Sequence, residues 1–247
     1  MAPAADERHS NRDDVRGEEG ARPPWHSRSR QHSVIRFKSV VFDVDSTLSG
    51  IEGIDWLAAR RGPEIEAWSA SLTERAMAGE LPIEAVYGER MAKVRPRKTE
   101  IEELGAIYVE RIAPGAREMF AELRRHAIEA VLVSGGLREA ILPLATELGV
   151  GADKVHAVSV YFDDRGGYAG FEEGSLMTRQ NGKRLTVRDM GLRGPILAVG
   201  DGVTDSEIRP VVDGFAAFTG FTRREPVIQR ADYVVENFDQ LREIILK

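Results

Sequence analysis

Val34-Ile35-Arg36-Phe37-Lys38-Ser39-Val40-Val41-Phe42-Asp43-Val44-Asp45-Ser46-Thr47 is the stretch whose reading decides the fold. Its first nine residues read as a β-strand that ends continuously apolar, as in a sheet covered on both faces. The polar run 43–47 follows with no spacer, so the strand delivers two carboxylates directly into a turn. The arrangement recurs twice downstream. Ala130-Val131-Leu132-Val133 runs into Ser134-Gly135-Gly136 and then a helix ended by Gly149, and Ile196-Leu197-Ala198-Val199 runs into Gly200-Asp201-Gly202. A helix carrying Met119, Phe120 and Leu123, a hairpin over residues 163–170, a helix after Gly182 and short strands at 214–218 and 233–235 fill the rest. Strands alternating with helices predict an α/β fold with a doubly wound, mostly parallel sheet, whose ligand crevice lies at the carboxyl ends of the strands.

Between the first turn and Pro114 the pattern is helical, with Ile54, Leu57 and Ala58 on one stripe, then Ile65, Trp68 and Leu72, then Ile101, Leu104, Ile107 and Tyr108. Residues 50–114 are therefore expected to form a helical cap inserted into a catalytic core made of 33–49 and 115–247. Residues 1–32 are rich in Arg, Asp, Glu, Ser and Pro with almost no aliphatic side chains, and are expected to be a disordered tail. They carry neither an apolar signal region nor the acid-poor composition of a transit peptide, so the expected location is the cytoplasm.

The 247 residues suffice for one sizeable core and a small second unit. No apolar run approaches the ~18 residues of a membrane span. The absence of cysteine excludes disulfides, thiolate metal sites and a cysteine nucleophile. A net charge of -6 gives no basic footprint for nucleic acid, so an anionic small molecule must be drawn in by local geometry. His126 and His156 stand alone, without the spacing of a zinc site.

Asp43, Asp45, Asp201 and Asp205 place four acids at two strand ends. Either motif alone reads equally well as turn residues capping a helix. Together they repel one another unless a cation joins them, and a few carboxylates with water and a phosphate suit Mg²⁺. Ser134 with the amides of Gly135 and Gly136, at a strand-to-helix junction, suits an anion, as does Lys183, which also reads as a surface lysine after a turn. A carboxylate nucleophile with a second acid two residues later can split phosphoester hydrolysis into two steps, the second acid giving and then taking a proton.

With these signatures in order, 43–47, Ser134, Lys183 and Asp201 with Asp205, the chain resembles the haloacid dehalogenase superfamily. Within it, Glu52-Gly53-Ile54-Asp55, Thr73-Glu74-Arg75-Ala76-Met77, Glu89-Arg90 and the run 200–205 resemble the phosphoserine phosphatase family, over essentially everything after residue 33. The resemblance implies Mg²⁺-dependent hydrolysis of O-phospho-L-serine to L-serine and phosphate through an aspartyl-phosphate, the last step of serine biosynthesis. It implies Asp43 as nucleophile and metal ligand, Asp45 as acid/base and ligand through its backbone carbonyl, Asp201 as third ligand and Asp205 as a residue orienting the metal shell. Ser134, Gly135 and Lys183 would hold phosphate, Arg90 the substrate carboxylate and Glu52 its ammonium, with Met77, Thr204 and Arg224 completing the pocket. Without the resemblance, Arg90 reads as a solvated helix residue, Glu52 as a first-turn acid and Met77 as ordinary core. Ile83 departs from the phenylalanine that relatives commonly carry, and Ala78 from a glycine, which leaves another phosphomonoester, or transfer to homoserine, as alternatives. A non-enzymatic Mg²⁺- or phosphate-binding module is the reading from a different class; it would be expected to lack Asp43 or Asp45, and both are present. The sequence does not fix the oligomeric state.

Overall fold

The computed structural model describes residues 37–246, and the expectations for the tail 1–32 and for strand residues 34–36 fall outside them. Strand β1 (Ser39–Phe42) leads into the insertion, α1 (Gly53–Ala59), α2 (Pro63–Met77), α3 (Ile83–Val94) and α4 (Lys98–Glu110). Then come α5 (Ala116–Arg125), β2 (Glu129–Leu137), α6 (Arg138–Leu148), β3 (Val155–Val158), the hairpin β4 (Val160–Phe162) and β5 (Tyr168–Phe171), and α7 (Gly182–Asp189). The chain ends with β6 (Ile196–Gly200), α8 (Val203–Ser206), β7 (Gly214–Phe218), α9 (Glu225–Ile228), β8 (Tyr233–Val235) and α10 (Phe238–Leu246).

Six strands form one parallel sheet in the order β3-β2-β1-β6-β7-β8, and β4 and β5 pair separately as an antiparallel hairpin. From β1 the chain builds outward through β2 and β3, then returns to lay β6 on the other side of β1. The order reverses there, and at such a switch point the helices on either side diverge and leave a crevice. Register places Phe42 beside both Leu132 and Val199, so the segments that follow β1 and β6 leave the sheet side by side. Val40, Val41 and Phe42 are fully buried, which is why these strands read as continuous apolar runs. The Phe42 ring lies 4.8 Å from that of Phe120 and 6.4 Å from that of Phe238, tying the sheet centre to α5 and α10.

Three sequence expectations change. β3 has no counterpart in the sequence reading. Ser134, Gly135 and Gly136 are not a turn: β2 continues through them to Leu137, with its register against β3 shifting after Val133. Finally, the stripe Ile65, Trp68 and Leu72 is only partly buried, whereas Ser69, Thr73 and Ala76 face inward on α2. The cause is what α2 covers: Thr73 and Ala76 line the cavity, and Ser69 bonds Asp55 and Arg90, where a sheet would have taken the apolar stripe. Trp68 is occupied outside, with the Lys93 ammonium 3.9 Å from its ring centre.

The insertion is also not uniform. α4 packs along α6 and places Ile101, Leu104 and Tyr108 in the main core. Ala76, Ile83 and Val86, with Leu72, Met77 and Leu81, form a separate small cluster where α2 meets α3.

Candidate active site

Asp43 and Asp201 are the first residues past β1 and β6, and Asp205 lies on α8, which begins two residues later. Their carboxylates gather with one oxygen from each within 4.8 Å of the others, and all three are buried. Asp205 can fold back under its own strand end because residue 200 is glycine; a Cβ there would lie 2.2 Å from the Asp205 Cγ. The Gly202 N–H donates to Asp205 at 2.9 Å. Lys183, at the start of α7, is buried and sits 2.7 Å from both Asp43 and Asp205, so the surface reading of this lysine is wrong. Asp201 accepts from the Thr47 hydroxyl at 3.2 Å and from the Arg224 guanidinium, whose other nitrogen reaches Glu74 on α2 at 3.0 Å.

Asp45 faces the other way. Its Oδ1 accepts from the Gly53 N–H at 2.8 Å and from the Tyr108 hydroxyl at 2.6 Å, while Oδ2 lies 3.4 Å from the Ser134 hydroxyl. Gly136 makes this approach possible, since a Cβ there would lie 2.8 Å from that Oδ2. With Oδ1 accepting two hydrogen bonds, Oδ2, on the side of Ser134, is the oxygen left to give and take a proton. Burial raises the Asp45 pKa and the bonds from Tyr108 and Gly53 oppose the shift.

The insertion supplies the opposite wall. Glu52 is the N-cap residue of α1, but its side chain makes no capping bond; its carboxylate instead accepts from Ser46 at 2.7 Å. Burial, and then the charge of Asp45, push its pKa up to about 8. Arg90 is buried, not solvated: it donates to Asp55 at 2.6 Å and to Ser69 at 3.1 Å. Asp43, Asp45, Glu52, Met77, Arg90, Ser134, Gly135, Lys183, Asp201 and Thr204 all line one cavity of about 60 Å³, so ten of the predicted residues converge. The other two, Asp205 and Arg224, stand behind it against Lys183 and Asp201.

Asp43, Asp45, Asp201 and Asp205 outnumber the cations among them, Lys183 on Asp43 and Asp205 and Arg224 on Asp201. Burial raises Asp43 and Asp201 well above the usual carboxylate range and neighbouring acids add to it, against the pull of Lys183 and Arg224 respectively. A surplus of negative charge on hard oxygen donors fits a small divalent cation such as Mg²⁺. Nothing local in the chain marked Tyr108 as the partner of Asp45, Asp55 and Ser69 as those of Arg90, or Thr47 as that of Asp201.

The family model for haloacid dehalogenase-like hydrolases matches residues 40–208. Among curated proteins, the phosphoserine phosphatase of Mus musculus is 34% identical over 206 residues, covering 82% of this chain and 91% of the relative. Among solved structures, a phosphoserine phosphohydrolase-like protein from Francisella tularensis superposes with a TM-score of 0.78 at 25% identity, over 84% of this chain and 99% of its own. A phospho-aspartyl intermediate analogue of phosphoserine phosphatase does so with a TM-score of 0.73 at 25% identity, over 85% and 99%. Together with four acids at adjoining strand ends, these matches establish that the chain belongs to the haloacid dehalogenase-like hydrolases, beside their phosphoserine phosphatases.

Proposed function

We propose that this protein is a phosphoserine phosphatase, hydrolysing O-phospho-L-serine to L-serine and phosphate with Asp43 as the nucleophile. In the first step an Asp43 oxygen attacks phosphorus and the bond to the serine oxygen breaks, while Asp45 gives that oxygen its proton. In the second, Asp45 takes a proton from a water whose oxygen attacks the same phosphorus, and the bond to Asp43 breaks to release phosphate. The observation that carries this reading is the orientation of Asp45, whose Oδ2 lies beside Ser134 while Tyr108 and Gly53 hold Oδ1.

Lys183, Ser134 and the Gly135 amide are assigned to the phosphoryl oxygens. Asp43, Asp201 and the Asp45 backbone carbonyl are assigned to Mg²⁺, with Asp205 orienting that shell. When bound, the cation would offset the surplus negative charge and favour charge building on the phosphoryl group. Arg90, aimed by Asp55 and Ser69, is assigned to the substrate carboxylate and Glu52 to its ammonium, with Met77 and Thr204 against the rest and Arg224 positioning Asp201. The last step of serine biosynthesis, in the cytoplasm, is the role this reading favours. No helix among the described residues is long and apolar enough to cross a membrane.

Phosphate release from L-phosphoserine, D-phosphoserine, phosphothreonine, sugar phosphates and p-nitrophenyl phosphate, with and without Mg²⁺ and with homoserine as acceptor, tests the reading. Mg²⁺-dependent release from L-phosphoserine, absent in Asp43→Asn and selectively reduced in Arg90→Ala, is expected. Release from other esters alone would remove the substrate assignment, and transfer to homoserine would remove the hydrolase.

A further inference from the structure

α3 turns one face to the cavity, Ile83, Val86, Tyr87 and Arg90, at the spacing of a single helical stripe. A second space lies behind that face, a groove of about 460 Å³ between α3 and the β5 region, lined by Gly88, Tyr168, Phe171, Thr178 and others. Tyr87 is the one residue common to the two linings among the described residues. Its ring is buried, 5.4 Å from that of Phe171, and its hydroxyl donates to the Gly135 carbonyl at 3.0 Å. Tyr87 thus borders both a cavity of about 60 Å³ and a groove more than seven times larger. The same side chain ties the insertion to the segment carrying Ser134.

From this we infer that Tyr87 is a specificity-determining partition: its ring sets the upper size of the alcohol portion of the substrate, and its hydroxyl positions the Gly135 backbone. The inference rests on the phosphomonoesterase reading above and adds the determinant of its selectivity. Shortening Tyr87 joins the two spaces and admits a phosphate ester with a bulky aromatic alcohol. Removing the hydroxyl alone leaves the partition standing and frees only the Gly135 carbonyl.

Steady-state kinetics on L-phosphoserine and p-nitrophenyl phosphate, for wild type, Tyr87→Ala, Tyr87→Leu and Tyr87→Phe, test it. Tyr87→Ala is expected to raise kcat/KM for the aromatic ester relative to phosphoserine by about tenfold or more, the scale on which a hydrophobic wall discriminates. Tyr87→Leu should give a smaller change of the same sign, which keeps the test decisive if the alanine variant does not fold. Tyr87→Phe should leave the ratio at the wild-type value and lower kcat on both esters by about threefold to tenfold, the effect of one lost neutral hydrogen bond. A ratio unchanged in Tyr87→Ala and Tyr87→Leu while wild type hydrolyses phosphoserine overturns the partition alone. A wild type inert toward both esters overturns the phosphomonoesterase reading instead.

Discussion

The floor and the wall of the cavity are built by different physics. The floor is made at strand ends, where register and buried apolar runs fix the backbone and hold Asp43 and Asp201 in place. Its charges are locked pairwise, Lys183 between Asp43 and Asp205, and Arg224 on Asp201. The wall is less uniform: α1 and α3 reach the main core through Leu57, Tyr87, Met91 and Val94, whereas α2 turns Ser69, Thr73 and Ala76 inward and meets α3 over a small apolar cluster of Ala76, Ile83 and Val86. α4, though part of the same insertion, belongs to the main core. A floor of this kind suits chemistry that tolerates little displacement. Of these helices α2 buries the fewest apolar side chains, so an opening that admits substrate is expected at α2 and its corner with α3, read as faster hydrogen exchange there than in α4.

Breaking the floor should cost most. Lys183→Met leaves Asp43 and Asp205 buried without their cation, and is expected to lower stability by about 3 kcal/mol and activity by about a thousandfold or more, read by urea unfolding and initial rates. Tyr108→Phe, at the joint between floor and wall, should lower kcat by roughly tenfold to a hundredfold while costing only about 1 kcal/mol of stability, because it frees the Asp45 oxygen without emptying the core.

That second prediction concerns a residue whose role the sequence did not disclose. Tyr108 falls on an apolar helical stripe, and nothing local distinguishes it from core, because its partner Asp45 lies 63 positions earlier. Tyr87, Asp55 and Ser69 were hidden in the same way, by contacts that exist only once distant segments meet. The strand ends were legible because a buried parallel strand announces itself as an apolar run, and a carboxylate immediately after it has one place to go. α2 was misread for a physical reason: periodicity finds the apolar face of a helix, but a helix over a binding cavity turns its small side chains inward. Ser134 to Gly136 looked like a turn because two glycines punctuate a sequence, whereas here Gly136 lets a strand run close beneath Asp45.

The pH dependence sharpens the contrast more gently. The folded-state pKa of Glu52, about 8 against an ordinary 4.5, means that burial favours its protonated form. Its contribution to stability is complete below the ordinary value and is lost as pH rises toward about 8; Asp43, Asp45 and Asp201 shift in the same direction. Melting temperature in a chelator is therefore expected to fall across that window, and Glu52→Gln should flatten the slope. The smallest effect belongs to α2: the buried Thr73 hydroxyl has no hydrogen-bond partner among the described residues, so Thr73→Val should leave stability unchanged or raise it by up to ~1 kcal/mol in thermal unfolding.

The central claim is that the phosphoryl group passes through Asp43. Mixing the enzyme with phosphate-radiolabelled L-phosphoserine and Mg²⁺, quenching in acid within one turnover and mapping the labelled peptide tests it directly. The account predicts a hydroxylamine-labile label on the peptide containing Asp43, absent from Asp43→Asn. Turnover with no covalent label, or a label on any other residue, would contradict it.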